Sequence, residues 1–229
     1  MMWLGYDWQA LLLTLKLAAC TTAILLILGI PIASLLAMTQ SRFKPLLETV
    51  ISMPLVLPPS VLGFYLLLLM SPQTTFGAWL ASTFDVRLAF SFAGLVIGSV
   101  IFSLPFMVQP IQAGLQQVPL NLIEASRCLG QSDLRTLWRV LLPNCKGALL
   151  TGTVLSFAHT IGEFGVVLMI GGNIPGVTKV ASIAIYDEVE KLNYDAAHFQ
   201  SLVLVVLSFV ILLLVNLARR IHKGALVRL

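Results

Sequence analysis

The sequence predicts an all-α, polytopic transmembrane bundle. Three observations carry that reading: 58% of the 229 residues are hydrophobic and only 10% are charged, the mean hydropathy is +0.95, and the apolar residues gather in long runs. Soluble domains carry roughly 25% charged residues, so a chain of this composition needs lipid to cover part of its surface.

Crossing the hydrocarbon takes about 20 mostly apolar helical residues. Runs of that kind lie at 10–38, 46–70, 89–114, 148–172 and 199–217, predicting about five spans within one membrane domain over 1–229. Gly29-Ile30-Pro31 predicts a kink in the first run. Gly94 and Gly98 in the third have the small-xxx-small spacing that permits close helix contact. The opening residues offer Met1, Met2, Trp3 and Asp7 but no basic cluster, so the first run reads as a retained span and not a cleaved leader.

Charge gives the orientation. Arg42, Lys44, Arg127, Arg135, Arg139, Lys146, Arg219, Arg220, Lys223 and Arg228 fall on one side if the spans alternate. Only Arg87, Lys179 and Lys191 fall on the other, with most of the acids, while Lys16 lies inside the first run and is expected to snorkel outward. The positive-inside rule places the N-terminus outside and the connection 115–147 in the cytoplasm. The net charge of +4 is thus a topology signal, not a nucleic-acid patch. On the outer side, 76–84 reads as an interfacial segment around Trp79, and 177–186 as a surface or re-entrant helix.

The segment 119–143 is the most informative loop. Pro119 suits a helix start, Gly130 suits a left-handed C′ position, Ser132 or Asp133 can cap a second helix, and Pro143 ends it. Leu122, Ile123, Ala125 and Leu129 are expected to pack, leaving Glu124 and Arg127 for a partner. Such an elbow can seat in a groove of a soluble protein or lie at the interface with no partner.

Glu124-Ala125-Ser126, three residues, Gly130, nine residues and Val140-Leu141-Leu142-Pro143 closely resemble the EAA loop of binding-protein-dependent ABC import permeases. Ser126 replaces the second Ala of that pattern and Val140 its Ile. The resemblance covers about the whole chain. It implies the type I, MetI-like permease fold, a multi-pass place in a bacterial inner membrane, and coupling to an ATPase through Glu124, Ala125, Ser126, Gly130, Leu142 and Pro143. It further implies a homodimer of the permease, two ATP-binding subunits, an extracytoplasmic binding protein, and no cofactor on this chain, since ATP is used by the partner.

A second resemblance concerns the cargo. Met53-Pro54-Leu-Val-Leu-Pro58-Pro59-Ser-Val-Leu-Gly63, Gly162-Glu163-Phe164-Gly165 and Gly171-Gly-Asn173-Ile-Pro-Gly176 look like molybdate permeases; tungstate and sulfate permeases share the first two in related form. Pro54, Pro58 and Pro59 suit either a gated path or a kinked packing helix. Glu163 is the only acid well inside a run. A carboxylate at bilayer depth costs about 2.5–3.5 kcal/mol on insertion scales, so it is expected to face the bundle or the path, paired with His159 four residues earlier.

Two other classes compete. An intramembrane enzyme would need a catalytic set at depth, but His159 with Glu163 lacks further metal ligands. Ser99, Ser103 and Ser156 lack a nucleophile elbow, and no GxxxxGK loop occurs. The three cysteines, Cys20, Cys128 and Cys145, share no metal-ligand spacing. A self-contained channel or secondary transporter would call for paired broken repeats, which the two halves do not show.

Overall fold

A computed structural model describes residues 7–226, all helix and connecting loop. Arg228 and the opening residues Met1–Trp3 lie outside the described residues. Helix α1 (Trp8–Met38) starts where the Asp7 carboxylate accepts the Ala10 amide at 3.0 Å, satisfying one of the orphan donors of a first turn. Helix α1 is continuous through Pro31, which it carries inside. Gly29 serves packing, since a Cβ there would stand 2.7 Å from Met107 Cγ.

The run 46–70, expected as one span, is two helices, α2 (Lys44–Val56) and α3 (Pro59–Met70), bent by 109°. Pro58 and Pro59 cannot donate backbone bonds, and the residue before a proline is driven to extended geometry; Leu57 and Pro58 both have ψ near 135°. Pro54, by contrast, is carried inside α2 and buried. The short α4 (Thr75–Phe84) follows, with Phe76, Trp79 and Phe84 exposed. Ser91 then caps α5 (Phe92–Gln116) by accepting the Gly94 amide at 3.1 Å.

The hairpin comprises α6 (Leu120–Cys128), α7 (Asp133–Thr136), a π-helical turn at Leu137–Leu141, and α8 (Leu142–Asn144). The run 148–172 is also divided, into α9 (Lys146–Gly162) and α10 (Gly165–Gly171), and the division falls at Glu163 and Phe164. The helix expected at 177–186 is α11 (Ala181–Glu190), shifted by four residues; in the loop before it Thr178 donates to Gly171 O at 2.7 Å. The chain closes with α12 (Tyr194–Leu226).

Helices α1, α5 and Tyr194–Leu213 of α12 are long and apolar enough to cross a membrane; two bent pairs, α2 with α3 and the 133–144 segment with α9, bring the number to five. The centre is α1 packed along α5 and α9. Leu25, Ala33, Met107, Val108, Ile111, Leu141 and Leu142 form its inner core, and Leu17, Leu95, Val167, Val180 and Ile183 its outer core. Outward faces remain apolar: Val56 is 84% exposed, Ile27 72% and Phe209 65%. Lipid or a partner must cover them.

The two ends separate the charges as the sequence reading expects. Leu36 packs with Leu115, Val118 and Leu141, so the 39–43 connection and the hairpin share one end, which is basic and therefore cytoplasmic. At the other end Lys179 and Lys191 donate to Asp187 at 2.8 and 2.9 Å, and Lys179 also lies 3.8 Å from Asp7. This hub ties α11 to the start of α1. Lys16 is exposed towards the same end, 4.7 Å over the Phe92 ring.

Two expectations follow from the packing. A Cβ on Gly114 would overlap that of Ala148; Gly114→Ala should therefore lower stability by about 1–3 kcal/mol, as overpacking does. Ala148→Gly in that background should recover most of it, read from thermal unfolding of the purified chain in detergent. The Asp187 carboxyl is held down at about 2 by hydrogen bonds from Lys179 and then Lys191. A depressed acid stabilises above its unfolded value of about 4 and loses that contribution as pH falls through about 2. Asp187→Asn should remove this acid-dependent part of an unfolding profile.

Candidate functional site

The cytoplasmic elbow is built from a glycine turn with complete hydrogen bonding. Gly130 sits at φ +70°, the left-handed region. Its amide donates to Arg127 O at 2.9 Å, and the Gln131 amide reaches back to Ser126 O at 3.1 Å. These are the two bonds of a Schellman motif, which satisfy carbonyls a helix end leaves free. Ser132, not Asp133, caps α7, accepting the Arg135 amide at 3.4 Å. Asp133 pairs with Arg127 at 3.3 Å, both well exposed, so the pair adds little.

Inside the elbow, the hydroxyls of Ser126 and Thr136 lie 2.8 Å apart and buried. This bond pins the two arms together. The sequence reading missed it, although the serine that departs from the family's alanine was the available signal. The second arm is not a plain α-helix: Leu142 N donates to Leu137 O, five residues back. A wide turn there relieves the clash a proline ring makes with the carbonyl four residues earlier, here that of Arg139. Leu142 is buried in the inner core, and Pro143 is exposed just beyond it.

The expected packing of the first arm needs correction. Ile123 packs against the inner core, and Ser126 is buried against Thr136 inside the elbow. Leu122, Ala125 and Leu129 follow the opposite stripe and are exposed, Leu129 by 77%. They line a shallow cavity of about 340 Å³ with Arg135 and Arg139. Leu134 and Trp138 are exposed nearby. Glu124 is exposed as expected. The elbow therefore offers a partner an apolar surface with a basic edge.

Within the membrane the two breaks meet. A Cβ on Gly165 would stand 2.7 Å from Pro59 Cβ, and one on Gly63 2.8 Å from Met169 Cβ. Pro58 and Pro59 at the head of α3 thus lie against the head of α10. Pro54 stays one turn away on α2.

His159 and Glu163 are not paired. His159 faces α5, with Nδ1 3.0 Å from Ser103 Oγ. Its ring stacks on Phe106 at 4.1 Å and lies 4.8 Å from Phe102. Glu163 follows the last residue of α9 with ψ 132°, so the chain leaves helical geometry before the i, i+4 register can close. Ser103, whose oxygen lies 3.2 Å from Thr160 Oγ1, and Ser182, which donates to Glu163 O at 2.6 Å, escaped sequence reading because single serines in apolar runs read as small core residues. Two further unread links tie α2 to α5: Gln112 to Glu48 at 2.6 Å and Gln109 to Ser52 at 3.0 Å. Among the described residues no group of three or more His, Cys, Asp or Glu could hold a metal.

A bundle with broken spans meeting at depth and a rigid elbow on its cytoplasmic end is a membrane-embedded transport subunit, not an enzyme. Residues 29–226 match the family described as binding-protein-dependent transport system inner membrane component, and the chain belongs to that family. It is 43% identical over 219 residues to the molybdenum transport system permease protein ModB of Azotobacter vinelandii, covering 96% of this chain and 97% of that one. Identity is 38% to the protein of the same description in Escherichia coli K12, over 79% of each. It is 33% to the sulfate transport system permease protein CysT of Synechocystis, over 85% of this chain and 68% of that one. Two solved structures share the fold: a bacterial alginate ABC transporter, with TM-score 0.78 at 18% identity over 94% and 79% of the chains, and the MetNI methionine ABC transporter, with TM-score 0.71 at 16% identity over 92% and 93%.

The elbow's turn can be tested directly. A side chain on Gly130 meets open space, nothing lying within 4 Å, so only backbone strain opposes substitution. Gly130→Val should cost about 1–2 kcal/mol and Gly130→Asn much less, since Asn tolerates the left-handed region. Protease sensitivity of the elbow in membrane vesicles should rise in that order.

Proposed function

We propose that this chain is the permease of an ATP-driven importer for molybdate in a bacterial inner membrane. The observation that carries the cargo is the 43% identity to a molybdenum permease across nearly the full length of both chains. The same logic keeps a second reading in view: sulfate permeases reach 33–36% identity over 85–89% of this chain. Tungstate shares the tetrahedral oxyanion chemistry and belongs with molybdate in any test.

In this reading two copies pair around a central path. The exposed faces of Leu122, Ala125 and Leu129 seat each elbow on one ATP-binding subunit, with Glu124 at the edge of the contact. An apolar stripe on a helix laid in a groove is a common mode of docking. The intramolecular bonds through Gly130 and Ser126, with Leu142 and Pro143 at the root, keep the elbow rigid. Closure of the ATPase pair draws the elbows together and opens the path outward, where a binding protein delivers the anion. Pro58, Pro59 and Glu163 at the junction, with Pro54 one turn away on α2 and His159 against α5, lie on the route of that movement and serve as the gate. Among the described residues no Lys or Arg stands at the junction, which suits a path that must release a dianion. Cargo selection then rests with the binding protein.

Uptake of labelled molybdate by cells carrying the complete transporter tests this reading. Unlabelled molybdate or tungstate should compete strongly and sulfate weakly; strong competition by sulfate alone would transfer the assignment to the sulfate reading. A crosslinker at Leu129→Cys should capture the ATPase chain in intact membranes, and failure to do so removes the docking role.

A further inference from the structure

Hydroxyls inside the helices of this chain usually bond to their own backbone. Thr14, Ser34, Thr153, Thr160 and Ser201 each donate to the carbonyl four residues earlier at 2.7–2.9 Å. Thr21 on α1 and Ser99 on α5 are fully buried, yet neither makes that bond or any other. Glu163 is 4% exposed, and both of its carboxyl oxygens also lack a hydrogen-bond partner. Buried polar atoms are normally paired, so each exception asks for a cause such as a bound ion or water.

These three residues stand at one level. Leu17, Leu95 and Val167 pack against one another, and Thr21, Ser99 and Glu163 each lie four residues further toward the cytoplasmic end. Ser99 is within electrostatic reach of the Glu163 carboxyl, short of hydrogen-bond geometry. Ser182, the hydroxyl contributed by α11, is committed to the main-chain oxygen of Glu163.

Among the described residues no basic side chain pairs with the acid. Lys16 is exposed and held over Phe92. His159 is turned to Ser103 between two phenylalanine rings. Helices α5 and α10 carry no charged residue, Lys146 stands at the opposite end of α9, and the acids of α11 belong to the outer end of the molecule. The carboxyl also sits at the C-terminal end of α9, the negative end of its dipole, which favours a positive ligand and disfavours an anion. Half-helix C-terminal ends at membrane depth hold sodium or protons in other transport folds.

We propose that Glu163, Ser99 and Thr21 form a buried site for one monovalent cation, a proton or a sodium ion, at the break between α9 and α10. A proton makes the carboxyl neutral, with its O–H donated to one hydroxyl and its C=O accepting from the other. A sodium ion takes the same atoms as an oxygen-only shell. Either way the break is electrically neutral and its polar atoms are paired, which lets the span remain divided inside the bundle. The Ser156 hydroxyl, also buried and unpaired two turns inward on α9, continues the polar layer towards the cytoplasm.

The test uses the complete transporter in lipid nanodiscs at neutral pH and does not depend on the cargo. Infrared difference spectra of wild type against Glu163→Gln are recorded with sodium or with choline as the only monovalent cation, alongside retention of labelled sodium. A protonated-carboxyl stretch that is absent from Glu163→Gln, shifts in heavy water and ignores sodium supports the proton. Sodium retained by wild type and lost in Glu163→Gln supports the metal ion. An ionised carboxylate in choline with no retained sodium overturns the proposal. Should Glu163→Gln fail to fold, Ser99→Ala replaces it: the carboxyl band must shift or sodium retention must fall, and a spectrum and retention identical to wild type overturn the site.

Discussion

A backbone that crosses hydrocarbon has no water to bond with, so every break in a helix must be sheltered by protein. This chain contains two such breaks, at Leu57–Pro58 and at Glu163–Phe164, and places them against each other. Gly165 has no Cβ because Pro59 occupies that space, and Gly63 has none because Met169 does. Much of the bundle is arranged around this junction. Helices α1 and α5 wall it on one side through Leu17, Leu95 and Val167. The loop after α10 is tied back by Thr178, and α11 reaches the break itself through Ser182. Neither break could persist without the other elements, which is why short pieces such as α3 and α10, too brief to cross alone, are stable at depth.

The same logic explains which features were legible in the sequence. Run length and charge asymmetry report on lipid and on the cytoplasmic face, and these are properties of individual segments. Gly130 was readable because a left-handed turn is a local demand that glycine answers, and Pro58–Pro59 because a missing donor is local too. Three features were not readable. The run 148–172 shows no proline at its division, and the break at Glu163 arises from tertiary contacts. The His159–Glu163 pair was drawn by assuming helical register across a residue that leaves the helix. Leu122, Ala125 and Leu129 of α6 were expected to pack and are exposed, because apolar character alone does not tell a core-facing residue from one kept for a partner.

The outer hub and the elbow show two different uses of polar groups. Lys179, Asp187 and Lys191 concentrate charge at the outer end, where they fasten α11 and the head of α1. The elbow instead is held by hydrogen bonds that close within it, through Ser126, Thr136 and the Gly130 turn. With its polar groups satisfied internally, the elbow leaves its exposed surface free for contact. The exposed apolar face of Leu122, Ala125 and Leu129 is part of that surface.

Between elbow and junction there is a single connecting element. The second arm passes through the π-helical turn, Pro143 and the bend at Cys145 directly into α9, which runs 17 residues to Gly162. At 1.5 Å per residue that is about 25 Å of unbroken helix. Under the coupling role proposed for the elbow, its displacement needs no chain of side-chain rearrangements to reach the break. It arrives as translation or rotation of α9, whose last residue precedes Glu163. Helix α9 is held to α5 by Gly152, whose Cβ position lies 2.9 Å from Met107 O, and by the Ser103–His159–Thr160 cluster near its outer end. The first contact offers a pivot, and the second sets the rotation of the end that meets the break. A rod with a pivot and one registered end transmits motion best to the point where the chain is already divided, and that point is Glu163.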